Sequence, residues 1–205
     1  MSHRVEGHRE KLLAGARRCL YEKGYARITA RDIVAASGAN LASIGYHFGS
    51  KEALLSAAII DGLTEWADEI SQVVPASQVV QGDRTMSSME RLEFTWNGII
   101  KSFSTHRPLW VASVEAFAQA EHLPEVRERL AASYRDARVG LARVLVEAAG
   151  DERTADAIGS FQLALMGGLT LQWLIDPDNA PSGADLAHAL RVITTLTTEA
   201  GHPSA

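Results

Sequence analysis

The sequence predicts an all-α fold, on three observations. Apolar residues recur at intervals of three and four along almost every periodic segment. Residues suited to capping and stopping helices stand where those segments begin and end. Strand signals are poor throughout, since "QVV" at 72–74 and 78–80 is interrupted by Pro75 and followed by Gly82.

The elements follow in order. Leu12, Leu13, Ala16, Cys19 and Leu20 form one apolar stripe, and Gly24 suits its end. In "TARD", Thr29 is placed to cap a second helix with Asp32 three residues on, a capping-box pattern. That helix passes through Ile33 and Val34 and stops at Gly38. Asn40 can cap a short third helix, and Ser50 a fourth beginning "KEALLSAAIIDGLTEW". Residues 74–86 read as a loop. Further helices are expected near 87–105, 107–121, 124–149, 152–175 and 183–200, punctuated by Pro108, Pro124, Gly150, Pro177 and Pro181.

Composition narrows the class. A chain of 205 residues, 46% hydrophobic, can bury a real core. One cysteine, Cys19, rules out a disulfide framework and suits a reducing cytoplasm, and no signal-like apolar run follows the N-terminus. Residues 157–175 carry no charge, which approaches membrane-spanning length. Ser160, Gln162, Thr170, Gln172 and three glycines interrupt that stretch, so the expectation is a helix buried on several sides and no membrane partner.

The net charge of −5 hides a division. Residues 1–53 hold nine Lys/Arg against five Asp/Glu, a balance of +4. Residues 54–205 hold eleven against twenty, a balance of −9. A basic quarter on an acidic body can face DNA with one end. The expected division is therefore a DNA-facing domain over 1–53 and an acidic helical domain over 54–205.

The stretch "GANLASIGYHFGSKE" raises a physical question, because isolated helices under about 12 residues are marginal in water. It can survive if Ile44 and Phe48, four apart, face inward with Ala39 against Ile33, Leu20 and Leu54. The outward face is then Leu41, Ala42, Ser43, Tyr46 and His47. Two helices joined by a Gly-bearing turn, the second presenting its outer face, make a helix-turn-helix, whose second helix enters the major groove.

"TARDIVAASGANLASIGYHFGSKEALL" resembles the DNA-binding signature of the tetracycline-repressor (TetR) family of bacterial transcription regulators. The residues that carry the match are Thr29, Arg31, Ile33, Gly38, Ile44, His47, Phe48, Ser50, Lys51, Glu52 and Leu54. Gly45 departs from it, standing where the family usually has a phosphate-contacting tyrosine, a role that Tyr46 is expected to take. The resemblance implies a transcriptional regulator, usually a repressor released from its operator by a small effector, and a homodimer built through the last two long helices.

By that resemblance, Leu41, Ala42 and Ser43 lie where base edges are touched: Leu41 and Ala42 suit a thymine methyl, and Ser43 can donate or accept. Leu41 can alternatively pack inward, three from Ile44. Arg31 can reach a base or a phosphate, Thr29 can serve both its cap and a phosphate, and His47 packs the turn. Lys51 opposes the dipole at a helix N-terminus, which makes sense if a phosphate sits there. Arg4 and Arg9 can form an arm along the backbone.

An effector site is implied in the C-terminal helices, with a largely apolar ligand. The candidate lining is Trp96, Phe103, Trp110, Phe117, Tyr134, Phe161, Met166 and Trp173, although aromatics on a helix stripe are more often core. His106, Glu115, Gln119 and Arg138 are polar groups that can orient a ligand. Gly167 and Gly168 each cost about 1 kcal/mol inside a helix relative to alanine, which suggests that something packs closely against them. No phosphate loop, nucleophile elbow or metal-ligand spacing is present, so neither an enzyme, a metal nor a cofactor is expected. The alternative is a helical binding or scaffold protein whose helix-turn-helix does not bind DNA, a reading Gly45 favours.

Overall fold

The computed structural model describes residues 2–73, 80–81, 84–85, 87–145 and 151–200. Helices α1 (Ser2–Lys23), α2 (Ala30–Ser37), α3 (Leu41–Phe48) and α4 (Lys51–Val73) open the chain. Two strands, β1 (Val80–Gln81) and β2 (Arg84–Thr85), follow, and then α5 (Ser88–Thr105), α6 (Arg107–Ala120), α7 (Pro124–Leu145), α8 (Glu152–Ile175) and α9 (Gly183–Ala200). The fold is all-α, and among the described residues the strands form one antiparallel pair, in which Val80 pairs with Thr85 and Gln81 with Arg84. The strands are a departure from the loop expected over 74–86. The Gly82–Asp83 pair between them is a two-residue hairpin signal in the sequence. Residues 74–79, 82–83 and 86 of that expected loop, and 146–149 of the expected seventh helix, lie outside the described residues.

Two compact units emerge, Met1–Asp68 with His106–Ala137, and Glu69–Thr105 with Arg138–Ala205. They partition the chain differently from a cut at residue 53, because α6 and the first part of α7 pack with the N-terminal helices. In the first unit, Leu12, Ala16 and Leu20 of α1 are buried with Ile28, Ile33, Ala39, Leu54, Leu55 and Ile59. A Cβ on Gly15 would meet Ser37 Cβ at 2.7 Å, so α1 and α2 cross with no room for one. Arg17 joins α1 to α4 through Asp61 and Glu65. Leu109 of α6 fits over Gly62 of α4, and Trp110 meets Trp66 edge-on at 4.8 Å between centroids.

In the second unit, Leu92, Trp96, Ile99 and Phe103 bury one face of α5, and Met166 and Leu169 one face of α8. Gly159 lies directly against the Arg138 carbonyl, and Gln162 donates from Nε2 to the Leu141 carbonyl at 2.7 Å. Asn97 Oδ1 accepts from Gly183 N–H at 3.0 Å where α9 starts.

Helix α8 is less enclosed than its sequence suggests. It is long and apolar enough to cross a membrane, yet the expected burial on several sides is not met within one chain. Phe161, Ala164, Gly168, Leu171 and Ile175 are exposed, and nothing lies within 4 Å of a Cβ on Gly167 or Gly168. On α9, Val192, Ile193 and Leu196 are likewise exposed.

Candidate nucleic-acid interface

The second and third helices are built by local rules. Thr29 Oγ1 accepts from Asp32 N–H at 3.2 Å, and Asp32 Oδ2 accepts from Thr29 N–H at 2.8 Å, closing the capping box. Lys23 and the Thr29 donors together hold the Asp32 carboxyl well below the ordinary carboxylate range. Gly38, at φ 67°, takes the left-handed conformation that ends α2. Asn40 Oδ1 then caps α3 by accepting from Ser43 N–H at 2.9 Å, and Gly49, at φ 84°, closes it.

Within α3, Ile44 is 4% and Phe48 6% exposed, against the cores of α1 and α2. Burying each side chain is worth about 1.5–3 kcal/mol, enough to support a helix that propensity alone leaves marginal. Arg9 lies over the Phe48 ring, 5.4 Å from its centroid. It does so from within α1, which is helical from Ser2, so Arg9 is not on an extended arm; the Arg4 side chain lies outside the described residues.

The opposite side of α3 is uncovered. Leu41 is 56% and Tyr46 76% exposed, Ala42 and Gly45 are exposed, and Ser43 and His47 are half-buried. The inward alternative for Leu41 is therefore not the arrangement adopted. Tyr46 and His47 meet edge-on at 4.8 Å. A Cβ on Gly45 would touch nothing within 4 Å. Arg31 on α2 is exposed.

Several polar groups on this surface already have partners. Ser43 Oγ donates to Asn40 Oδ1 at 2.9 Å, which leaves its lone pairs to accept. Thr29 gives its hydroxyl to Asp32 Oδ2 at 2.6 Å as well as its N–H, so donation to a phosphate requires exchange away from Asp32. Lys51 Nζ donates to the Ile28 carbonyl at 2.9 Å and pairs with Glu52 at 3.2 Å. Ser50 Oγ caps α4 by accepting from Ala53 N–H at 3.0 Å. Beneath the surface, Tyr25 is buried, and burial together with the neighbouring Glu52 carboxylate pushes its phenol up to about 12.

The eight aromatic and Met candidates for an effector site are divided between the two units. Trp96, Phe103, Phe161, Met166 and Trp173 belong to the second unit, where Phe103 meets Trp173 at 5.6 Å. Trp96 and Phe103 are fully buried, whereas Phe161 is 46% exposed and lines an open groove of about 240 Å³ with Leu165, Leu169, Pro181 and Leu186. Trp110, Phe117 and Tyr134 belong to the first unit, the last two in edge contact at 5.6 Å. Of the polar candidates, Glu115 is engaged by the backbone of Tyr25, a contact between residues 90 apart that no sequence pattern announces.

Comparison with known proteins agrees with this architecture. Residues 12–58 match the model for the tetR family of bacterial regulatory proteins, and residues 88–198 match that for the C-terminal part of BetI-type transcriptional repressors. The HTH-type transcriptional repressor AcnR of Corynebacterium efficiens is 38% identical over 64 residues, 31% of this chain. That match spans about a third of the relative's length, 34%. The HTH-type transcriptional regulator TtgR of Pseudomonas putida is 24% identical over 177 residues, covering 83% of this chain and 82% of TtgR. Among solved structures, protein SCO7518 of Streptomyces coelicolor A3(2) superposes with a TM-score of 0.64 at 26% identity, over 92% of this chain and 98% of that one. With a short capped helix whose outer side is bare, and with family models matching residues 12–58 and 88–198, this protein belongs to the TetR family of transcriptional regulators.

Proposed function

We propose that the chain acts as a cytoplasmic, homodimeric repressor that binds an operator through residues 1–53 and is released by a small, largely apolar effector held within residues 54–205. The observation that carries the reading is the division of α3 into a buried side, Ile44 and Phe48, and a bare side, Leu41 and Tyr46. Small residues at 42, 43 and 45 let the helix backbone approach base edges closely, with Leu41 and Ala42 on thymine methyls and Ser43 accepting from a base. Tyr46 and Lys51 take the flanking phosphates, Lys51 by exchanging Glu52 for a phosphate oxygen at the start of α4 while it keeps the Ile28 carbonyl. Thr29, Arg31 and His47 complete the footprint.

One such helix reads only a few base pairs, so specificity calls for two. The uncovered stripe of α8 supports a second copy as its cover. Phe161, Ala164, Gly168, Leu171 and Ile175 are spaced by three and four residues, the seam pattern of helices that pack lengthwise. With Val192, Ile193 and Leu196 of α9, that seam supports a four-helix interface between two chains. An effector that prefers one tilt of α4 then changes the spacing of the reading helices. A hundredfold induction requires about 2.7 kcal/mol of differential binding, within the usual coupling range.

Selection of duplexes from a random pool by the full-length protein, followed by a salt titration, tests this reading. A specific dimer enriches a palindromic site and loses affinity steeply as salt rises. Recovery of no sequence would instead favour the binding-protein alternative, to which the bare Gly45 in place of a phosphate-contacting tyrosine points.

A further inference from the structure

The turn between α1 and α2 sets the direction in which α2, and α3 after it, leave the first helix. Gly24 enters it at φ 71°, Tyr25–Arg27 form one 3₁₀ turn, and Ile28 leaves it extended. Its two ends are held from outside. At the far end, the Ile28 carbonyl accepts from Lys51 of α4. At the near end, the Tyr25 N–H has no partner within its own turn, as is usual for the first residue of a helix. It donates to Glu115 Oε2 of α6 at 2.7 Å, a short, charge-assisted bond.

Helix α6 is itself anchored. Leu109 over Gly62 and Trp110 against Trp66 fasten its beginning to α4. Glu115 lies six residues beyond Leu109, about 9 Å along the axis at 1.5 Å per residue. One helix therefore grips α4 near its own start and the α1–α2 turn just past its middle. Tyr25 itself is 4% exposed, so the turn cannot shift without disturbing the core.

We infer that Glu115 is a positioning residue for the reading head, a carboxylate latch through which α6 fixes the α1–α2 turn and hence the attitude of α2 and α3. This makes α6 a connection to the head additional to α4. For its DNA arm the inference rests on the operator-binding reading above.

The test uses full-length protein and backbone hydrogen exchange over residues 25–48. Glu115→Ala is expected to speed exchange of the Tyr25 amide about tenfold and to loosen α2 and α3, with α8 unchanged. Glu115→Gln keeps a carbonyl acceptor without the charge and is expected to retain most of the protection. Glu115→Asp, shorter by one methylene, is expected to fall between and serves if the alanine variant folds poorly. On the duplex that the wild type selects, Glu115→Ala should bind about tenfold more weakly and Glu115→Gln nearly normally. Unchanged exchange in Glu115→Ala, or a glutamine variant as loose as the alanine one, overturns the latch. Faster exchange with undiminished DNA affinity overturns its role in positioning the head. If the wild type selects no duplex, operator binding is what fails, and the exchange measurements still decide whether the latch exists.

Discussion

Gly15 and Gly45 both lie inside helices of the first unit, at ordinary negative φ, and helix propensity alone predicts the same gain from alanine at each. That gain is about 0.8–1.0 kcal/mol. The surroundings give the two substitutions opposite signs. Around Gly45 nothing lies within 4 Å of the added methyl, so Gly45→Ala should keep the full gain of about 1 kcal/mol. At Gly15 the methyl would stand 2.7 Å from Ser37 Cβ, 0.7 Å short of the 3.4 Å where ordinary contact begins. It would also stand 3.0 Å from Ser37 N and 3.1 Å from Ser37 Cα. Backbone cannot rotate aside as a side-chain tip can, so α2 must move as a body. Overpacking of this kind costs about 1–3 kcal/mol, which outweighs the propensity gain across most of its range. Thermal unfolding measures both, at about 2–4 °C per kcal/mol for a chain of this size. Gly45→Ala should melt higher and Gly15→Ala lower than the parent. Equal increases in both would refute the close α1–α2 crossing, and a fall in Gly45→Ala would refute the open face of α3.

Other outcomes are expected on the same grounds. Lys51→Ala should weaken binding to all duplexes and reduce the log–log salt slope by about one unit per protomer, whereas Ser43→Ala should change the selected sequence and leave the slope alone. Acid should destabilise the protein through its capping carboxylates, because Asp32, Asp151 and Asp185 all sit below their ordinary values when folded. Their contribution is fully present above about pH 4, the unfolded value, and is lost as pH falls below it. Urea midpoints between pH 7 and 3 should show this, and Asp32→Asn should be less acid-sensitive than the parent. The double variant Leu171→Glu/Ile175→Glu should drop from twice the 22.1 kDa chain mass to one chain in light scattering, with helical content unchanged. A parent that is already monomeric, or a variant that remains dimeric, would remove α8 from the proposed interface.

What the sequence determined by itself is what is encoded within a few residues. The Thr29–Asp32 box, the Asn40 and Ser50 caps and the Gly24 and Gly38 stops involve partners one turn apart, so spacing is enough to read them. The inward pair Ile44 and Phe48 follows from the helical period, and with it the bare side bearing Leu41 and Tyr46. Tertiary structure decided what depends on distant partners. The commitment of the Lys51 ammonium to Ile28 and of Glu115 to Tyr25 arises across 23 and 90 residues. The division of the aromatic candidates between two units, and the bare flank of α8, depend on which helices come to lie beside which. A helix's apolar period states that a face needs covering; only packing in three dimensions selects the cover.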